Sequence, residues 1–210
     1  SVDRIDEAID LSDYGMIFEK GADLDLQNKV NSYIAKIKDN GTHKALEDKW
    51  FGDSEPTVFE TYDDLDGANG TLKIGVTASK PFVYIKDGKY AGFEVELMIG
   101  FCREYGYRLE FEDTAFAAIM SGVSSGRYDI GMSGITITEE RRESVDFSAV
   151  NHTEDLVLVI HKQSDVKTFE DYKNANVGIT TGTYAATIIH DVFPDATVKE
   201  FASIPDMMLA

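Results

Sequence analysis

The sequence predicts an α/β fold in which helices flank mostly parallel sheets, and three observations predict it. From Leu72 onward, strand-like and helix-like stretches alternate. The run "DLVLVIH" at 155–161 has no polar interruption after its first residue, as a strand buried on both faces would. A chain of 210 residues, 43% of them hydrophobic, has enough apolar material for a substantial core.

Element by element, "LDLQNKVNSYIAKIKDNG" sets Leu26, Val30, Tyr33, Ile34 and Ile37 on one helical face, and Asn40-Gly41 supplies a left-handed residue to end it. Thr42 then caps a second helix, "HKALEDKWF", which carries Leu46 and Trp50 four apart and closes at Gly52. Residues 53–70 lack apolar periodicity and read as a linker. Beyond it, "LKIGVTA" reads as a strand and "KPFVYIKDGKYAGF" as a hairpin turning at Asp87-Gly88, followed by a helix through "VELMIGFCREYG". "RLEFED" is the next strand, and "TAFAAIMSGVSSG" the next helix, with Phe116, Ile119, Met120 and Val123 on one face. "YDIGMSG" is a strand, as is Val177 to Thr180, before a helix opening near Thr183. The last residues offer one more strand and the first turns of a helix.

Composition excludes several function classes. With 38 acidic and 20 basic residues the net charge is -18, which repels phosphate backbones and anionic membrane surfaces. The acids are spread along the chain, as on a solvated surface. Cys102 is the only cysteine, so no intrachain disulfide forms, and its helical neighbours mark it as a buried thiol. The four histidines have no metal-ligand spacing; a phosphate loop, a nucleophile elbow and a dinucleotide fingerprint are all missing. No cofactor or metal is expected. The first residues lack the basic and apolar regions of a signal peptide, and no apolar stretch is long enough to cross a bilayer, so the sequence reads as an excised piece of a longer chain.

Chemistry-bearing residues concentrate in "DIGMSGITITEERRESVDFS", 129–148. Ser133-Gly134 after a strand lets the backbone approach a ligand closely, and Thr136 and Thr138 add hydroxyls. If Thr138 caps a short helix, the Arg141 guanidinium swings back to the same loop, where its planar fork suits a carboxylate. Pairing of Arg141 and Arg142 with Glu139, Glu140 or Glu143 on the surface explains the same residues equally well. "TTGTY" at 180–184 offers amides at a helix start with the Thr183 hydroxyl, either a modest anion site or an ordinary cap. Phe82 and Tyr84 pack against a ligand or into the core.

Taken in order, Pro81-Phe82, Gly92-Phe93-Glu94-Val95-Glu96, Gly126-Arg127-Tyr128-Asp129, Gly134-Ile135-Thr136-Ile137-Thr138 with Arg141, and Asp146-Phe147-Ser148 resemble the bacterial extracellular solute-binding proteins of the polar amino acid type. These are partners of ABC importers with a type II periplasmic-binding-protein-like fold of two lobes. The resemblance runs from about Leu72 to Ala210. It implies that Arg141 binds the ligand α-carboxylate with the amides near Gly134 and Thr136, and that Ser133 accepts from the ammonium. It also implies that Phe82 and Phe116 wall the side-chain pocket, while Thr180, Thr183 and Tyr184 close from the second lobe.

The chain departs from the family pattern near Thr77, where an acid is usual, and near Ser79 and Lys80, where an aromatic is usual. "DYGMIFEKG" and "NGTHKALEDKWFG" resemble the returning hinge strand and last helices of the same fold. Residues 1–52 are therefore expected as the hinge strand and closing helices of a module, 71–150 as a first lobe, and 151–210 as a hinge and incomplete second lobe, from tandem modules or a circular permutation.

The resemblance further implies an amino acid or related carboxylate as ligand, with closure on binding and no bond made or broken. It implies an ABC permease as partner and an extracellular or periplasmic place, tethered to a membrane in the parent protein. A ligand-sensing ectodomain of a sensor kinase or cyclase is the alternative, followed by a cyclohexadienyl-type dehydratase. An incomplete second lobe also makes self-association plausible.

Overall fold

The chain opens as β1 (Val2–Tyr14), turns through Gly15 into β2 (Ile17–Glu19), and continues into α1 (Leu24–Asp39) and α2 (Thr42–Trp50). The computed structural model describes residues 2–22, 24–163, 168–172 and 174–209 and divides into two units, Gly15–Asn151 and Ser1–Tyr14 with His152–Ala210. In α1 the buried residues are Leu26, Val30, Tyr33, Ile34 and Ile37, the face that the spacing sets out. Each such side chain contributes about 1.5–3 kcal/mol when fully buried. Thr42 is not the cap of α2: Gly41 holds that position in the left-handed conformation at φ 82°, and the Asn40 Oδ1 accepts from the Thr42 amide, the first of the helix, at 3.0 Å. The helix closes on Phe51, whose amide donates to the Glu47 carbonyl, one residue before Gly52.

Beyond α2 come β3 (Thr71–Val76), β4 (Tyr84–Lys86), β5 (Lys89–Ala91), α3 (Phe93–Tyr105) and β6 (Arg108–Asp113). The unit then continues with α4 (Phe116–Ser124), β7 (Ile130–Gly131), α5 (Glu139–Arg142) and β8 (Val145–Phe147). β4 and β5 form the expected hairpin, with Asp87 and Gly88 both at positive φ. One five-stranded sheet, in the order β6-β3-β7-β2-β8, organises the unit. β3 runs parallel to β6 and β7, whereas β2 enters antiparallel between β7 and β8. Residues 15–50 thus supply a strand and two helices to the same body as 71–150. Ile17 lies in a core cluster with Ile119, Val123, Tyr128, Ile135, Val145 and Phe147.

Residues 53–70, expected as a linker, form a strap tied to this unit. Phe59 packs on Trp50 and Tyr62 on Phe111. Arg103 donates to Glu60 and to the Thr61 carbonyl, Arg108 to the Leu65 carbonyl, and Lys89 pairs with Asp63. The segment lacks periodicity because it follows the surface with one aromatic or carboxylate contact at a time.

The other unit joins β1 to β9 (His152–His161) in a two-stranded antiparallel ribbon, with Tyr14 opposite His152 and Val2 opposite His161. After Phe169–Tyr172, a short 3₁₀ turn, come β10 (Asn176–Thr180), α6 (Tyr184–Val192), β11 (Thr197–Phe201) and α7 (Ile204–Leu209). β10 and β11 pair in parallel over a core of Val177, Ile179, Ile189 and Phe193. The expectation of a doubly buried strand at 155–161 is corrected: Val159 is 52% exposed, because a two-stranded ribbon has no second layer over its outer face.

Candidate functional site

The loop that leaves β7 is built around two residues at positive φ, Ser133 at 137° and Gly134 at 66°. A non-glycine residue held there costs on the order of 1–3 kcal/mol, which surrounding bonds must offset. Those bonds come from a residue that the sequence reading treated only as part of a motif. Glu94, in the first turn of α3, is 0% exposed, and its Oε2 accepts from the Ser133 amide at 2.9 Å and the Gly134 amide at 3.0 Å. Its Oε1 accepts from Asn151 Nδ2 at 2.9 Å. Two successive amides turned toward one carboxylate make a small anion nest, here filled from within the chain. A signal for Glu94 did exist: a charge set between Phe93 and Val95, two apolar residues that the helix buries.

Ser133 is 1% exposed, and its hydroxyl donates to the Thr77 carbonyl at 2.8 Å while accepting from the Thr77 amide at 2.9 Å. The hydroxyl expected to meet a ligand ammonium thus bonds the backbone of Thr77, just past the end of β3. The Gly134 amide, expected to meet a ligand carboxylate, is committed to Glu94. Gly134 is required twice over, because a Cβ on it would stand 2.8 Å from the Phe82 ring at a φ that disfavours side chains.

Arg141 is the charged group this loop presents. Thr138 caps α5 as its spacing foretells, accepting from the Arg141 amide at 3.2 Å. The guanidinium folds back, Nη1 donating to the Thr136 carbonyl at 2.6 Å, with its carbon 5.9 Å from the Phe116 ring centroid. It is 8% exposed, and burial lowers its pKa against the rise from nearby Glu140. Arg142 takes the surface role instead, pairing with Glu139 at 3.3 Å. Thr136, Arg141 and Phe116 are therefore brought together, with a planar cation in a partly dry setting that suits a carboxylate.

Phe82 is buried at 4% and packs on Phe51 and Phe93, so it floors the loop as part of the core. Its carbonyl and that of Pro81 accept the first two amides of α3, which explains why Gly92, at φ 137°, precedes that helix: a Cβ would strike the Phe82 carbonyl. Lys80 pairs with Glu55 of the strap at 3.0 Å and lies over the Tyr84 ring. Burial alone pushes the Cys102 thiol up to about 12.

In the other unit, the turn at 180–184 has Gly182 at φ 80° and Thr183 as the residue preceding α6. The Thr183 hydroxyl donates to the Thr180 carbonyl at 2.7 Å, and the Tyr184 hydroxyl to Asp10 at 2.5 Å, a bond that raises the tyrosine pKa together with burial. Both hydroxyls have partners inside their own unit. Among the described residues no group of three or more His, Cys, Asp or Glu side chains could hold a metal ion, and no helix is long and apolar enough to cross a membrane.

The family model for bacterial extracellular solute-binding proteins, family 3, matches residues 72–200. The arginine-binding extracellular protein ArtP of Bacillus subtilis (strain 168) is 35% identical over 112 residues, 53% of this chain and 44% of that protein. The chain spans about half the length of the curated relatives it matches. Among solved structures, an ancestral arginine-binding protein bound to arginine matches with a TM-score of 0.57 at 27% identity, covering 67% of this chain and 64% of that one. The ancestral amino acid-binding protein AncCDT-1, a precursor of cyclohexadienyl dehydratase, matches with the same TM-score at 28% identity, covering 67% and 65%. The family match includes the Gly134 to Arg141 loop, the PF turn and the strands that hold both. By that match, the chain belongs to the bacterial extracellular solute-binding proteins, family 3.

Proposed function

We propose that the chain binds a small polar solute, an amino acid, outside the cytoplasm for delivery to an ABC importer, from a parent protein tethered to the membrane. The observation that carries this reading is Arg141: a largely buried guanidinium, seated on the Thr136 carbonyl and flanked by Phe116. A cation kept from water gains more from a ligand carboxylate than an exposed one does, since the two charge-assisted bonds form in a weaker dielectric. Relatives named as arginine-binding or amino acid-binding support the choice of ligand class. Lys80 is already paired with Glu55, so the loop before β4 adds no free cation that would oppose a basic side chain.

The same reading makes the protein a binder without turnover. Glu139 and Glu140, the acids of the α5 turn, are both exposed, and Glu139 pairs with Arg142, a poor setting for a general acid or base. Thermal-shift screening with the twenty amino acids, repeated on Arg141→Ala, tests the proposal. A compound that raises the melting temperature of the parent chain and not of the variant supports it. A compound that stabilises both equally places the ligand elsewhere, and no stabilising amino acid at all removes the amino acid reading.

A further inference from the structure

Glu94 receives more donors than a helix-start carboxylate normally does. An acid in a first turn commonly faces the amides of its own helix. Here α3 has already given its first two amides to the Pro81 and Phe82 carbonyls, and the Glu94 side chain reaches a different loop. Three donors from two distant segments converge on it: the amides of Ser133 and Gly134, and Asn151 Nδ2. Asn151 is itself fully buried and is the last residue of the Gly15–Asn151 unit. Its carbonyl is held by His43 of α2, whose Nε2 donates at 2.6 Å. Among the described residues its Oδ1 has no hydrogen-bond partner.

We propose that Glu94 is the positioning residue of the ligand site, its ionised carboxylate holding the Ser133-Gly134 turn so that the following residues carry Arg141 to its place. The turn sets the direction of 135–136, and the Thr136 carbonyl at its end fixes the guanidinium. Glu94 touches no ligand in this scheme and acts through the backbone. For its effect on affinity the proposal rests on the amino acid-binding reading; its effect on the turn does not.

Charge and polarity make a specific test available. A glutamine at 94 can offer its carbonyl oxygen to the two amides, but those bonds are no longer charge-assisted, and its amide group is accepted only if Asn151 turns its Oδ1 inward. An aspartate at 151 would accept from that glutamine. It would instead oppose Glu94 in the parent background, carboxylate against carboxylate. Each single substitution should therefore damage the turn, and the pair should mend it.

The experiment compares the 210-residue chain with E94Q, N151D and E94Q/N151D, using amide hydrogen exchange at Ser133 and Gly134 without ligand and calorimetric titration with L-arginine and L-histidine. We expect exchange at both amides to quicken, and affinity for the amino acid that binds to fall, by roughly tenfold or more in E94Q, consistent with loss of charge-assisted bonds. The double variant should return both to within about threefold of the parent, the signature of direct coupling. Unchanged amide exchange in E94Q overturns the proposal, as does a double variant no better than E94Q. If E94Q does not fold, the double variant carries the same readout: slow exchange at Ser133 and Gly134 upholds the brace, and failure to fold overturns it. A parent chain that binds neither amino acid counts against the functional reading alone, and the amide exchange still decides the role of Glu94.

Discussion

Replacing Arg141 with methionine keeps most of the buried stem and removes the cation, so stability and binding should separate. In the free chain the substitution loses the bond to the Thr136 carbonyl at 2.6 Å and the contact with the Phe116 ring. Those interactions are worth about 1.5–3 and about 0.5–1 kcal/mol for charged donors and for cation–π contacts. Relief of desolvation offsets part of that loss, since burial already disfavours the charged form. A net cost of about 1–2 kcal/mol follows, or roughly 2–8 °C in melting temperature for a chain of this size. Ligand binding should suffer far more. Two bonds to a carboxylate at about 1.5–3 kcal/mol each amount to roughly two to four decades in Kd. Differential scanning calorimetry and titration with L-arginine on both proteins read the two effects. Equal affinity in R141M and the parent, with the parent binding measurable, would show that Arg141 is not the carboxylate anchor.

Three further outcomes are expected. Gly134→Ala meets the Phe82 ring at 2.8 Å at a left-handed φ, and should cost about 2–5 kcal/mol from backbone strain and overpacking, read as a lowered denaturant midpoint; a loss under about 1 kcal/mol would contradict it. Asp146 has its pKa held down first by the Gly21 amide and then by Lys20, so its stabilising effect is present above the unfolded pKa and lost as pH falls through the folded value. Asp146→Asn should therefore cost about 1 kcal/mol at neutral pH, with the gap to the parent narrowing as pH falls below about 4, and a gap that does not narrow at all as the carboxylate is protonated would refute the assignment. Cys102, buried and pushed up to about 12, should resist alkylation at pH 8 until the chain unfolds; rapid labelling of the native protein would show that α3 opens locally.

Much of this architecture is legible in the sequence because single elements carry enough local information. The apolar face of α1, the Asp87-Gly88 turn and the Thr138 cap each follow from periodicity or turn chemistry within a few residues. What is not legible depends on partners far along the chain. β1 is rich in acidic residues and has no strand pattern of its own; it is a strand because β9 supplies its ladder. The buried roles of Phe82 and Ser133 depend on Gly134 and Thr77, and the role of Glu94 on amides 39 and 40 positions away. Residues that resemble a family's motifs thus hold the loop's shape, while Thr136, Arg141 and Phe116 are the part of the run that the proposed function draws on.

The Gly15–Asn151 unit is one uninterrupted stretch, whereas the other unit is assembled from two pieces of chain. That asymmetry gives the two units different loop-closure costs. Thr153 and Asp13, bonded across the β1–β9 ribbon, lie 140 positions apart, and closing so long a loop from a coil costs about 4 kcal/mol in entropy. Once the continuous unit has formed, Met16 and Ser148 are already bonded to each other through the Ser148 amide and hydroxyl. The remaining loop is then only a few residues and its closure costs roughly 1 kcal/mol. The ribbon can zip outward from Tyr14 and His152 toward Val2 and His161. A pairing that is distant in sequence thereby becomes a local one.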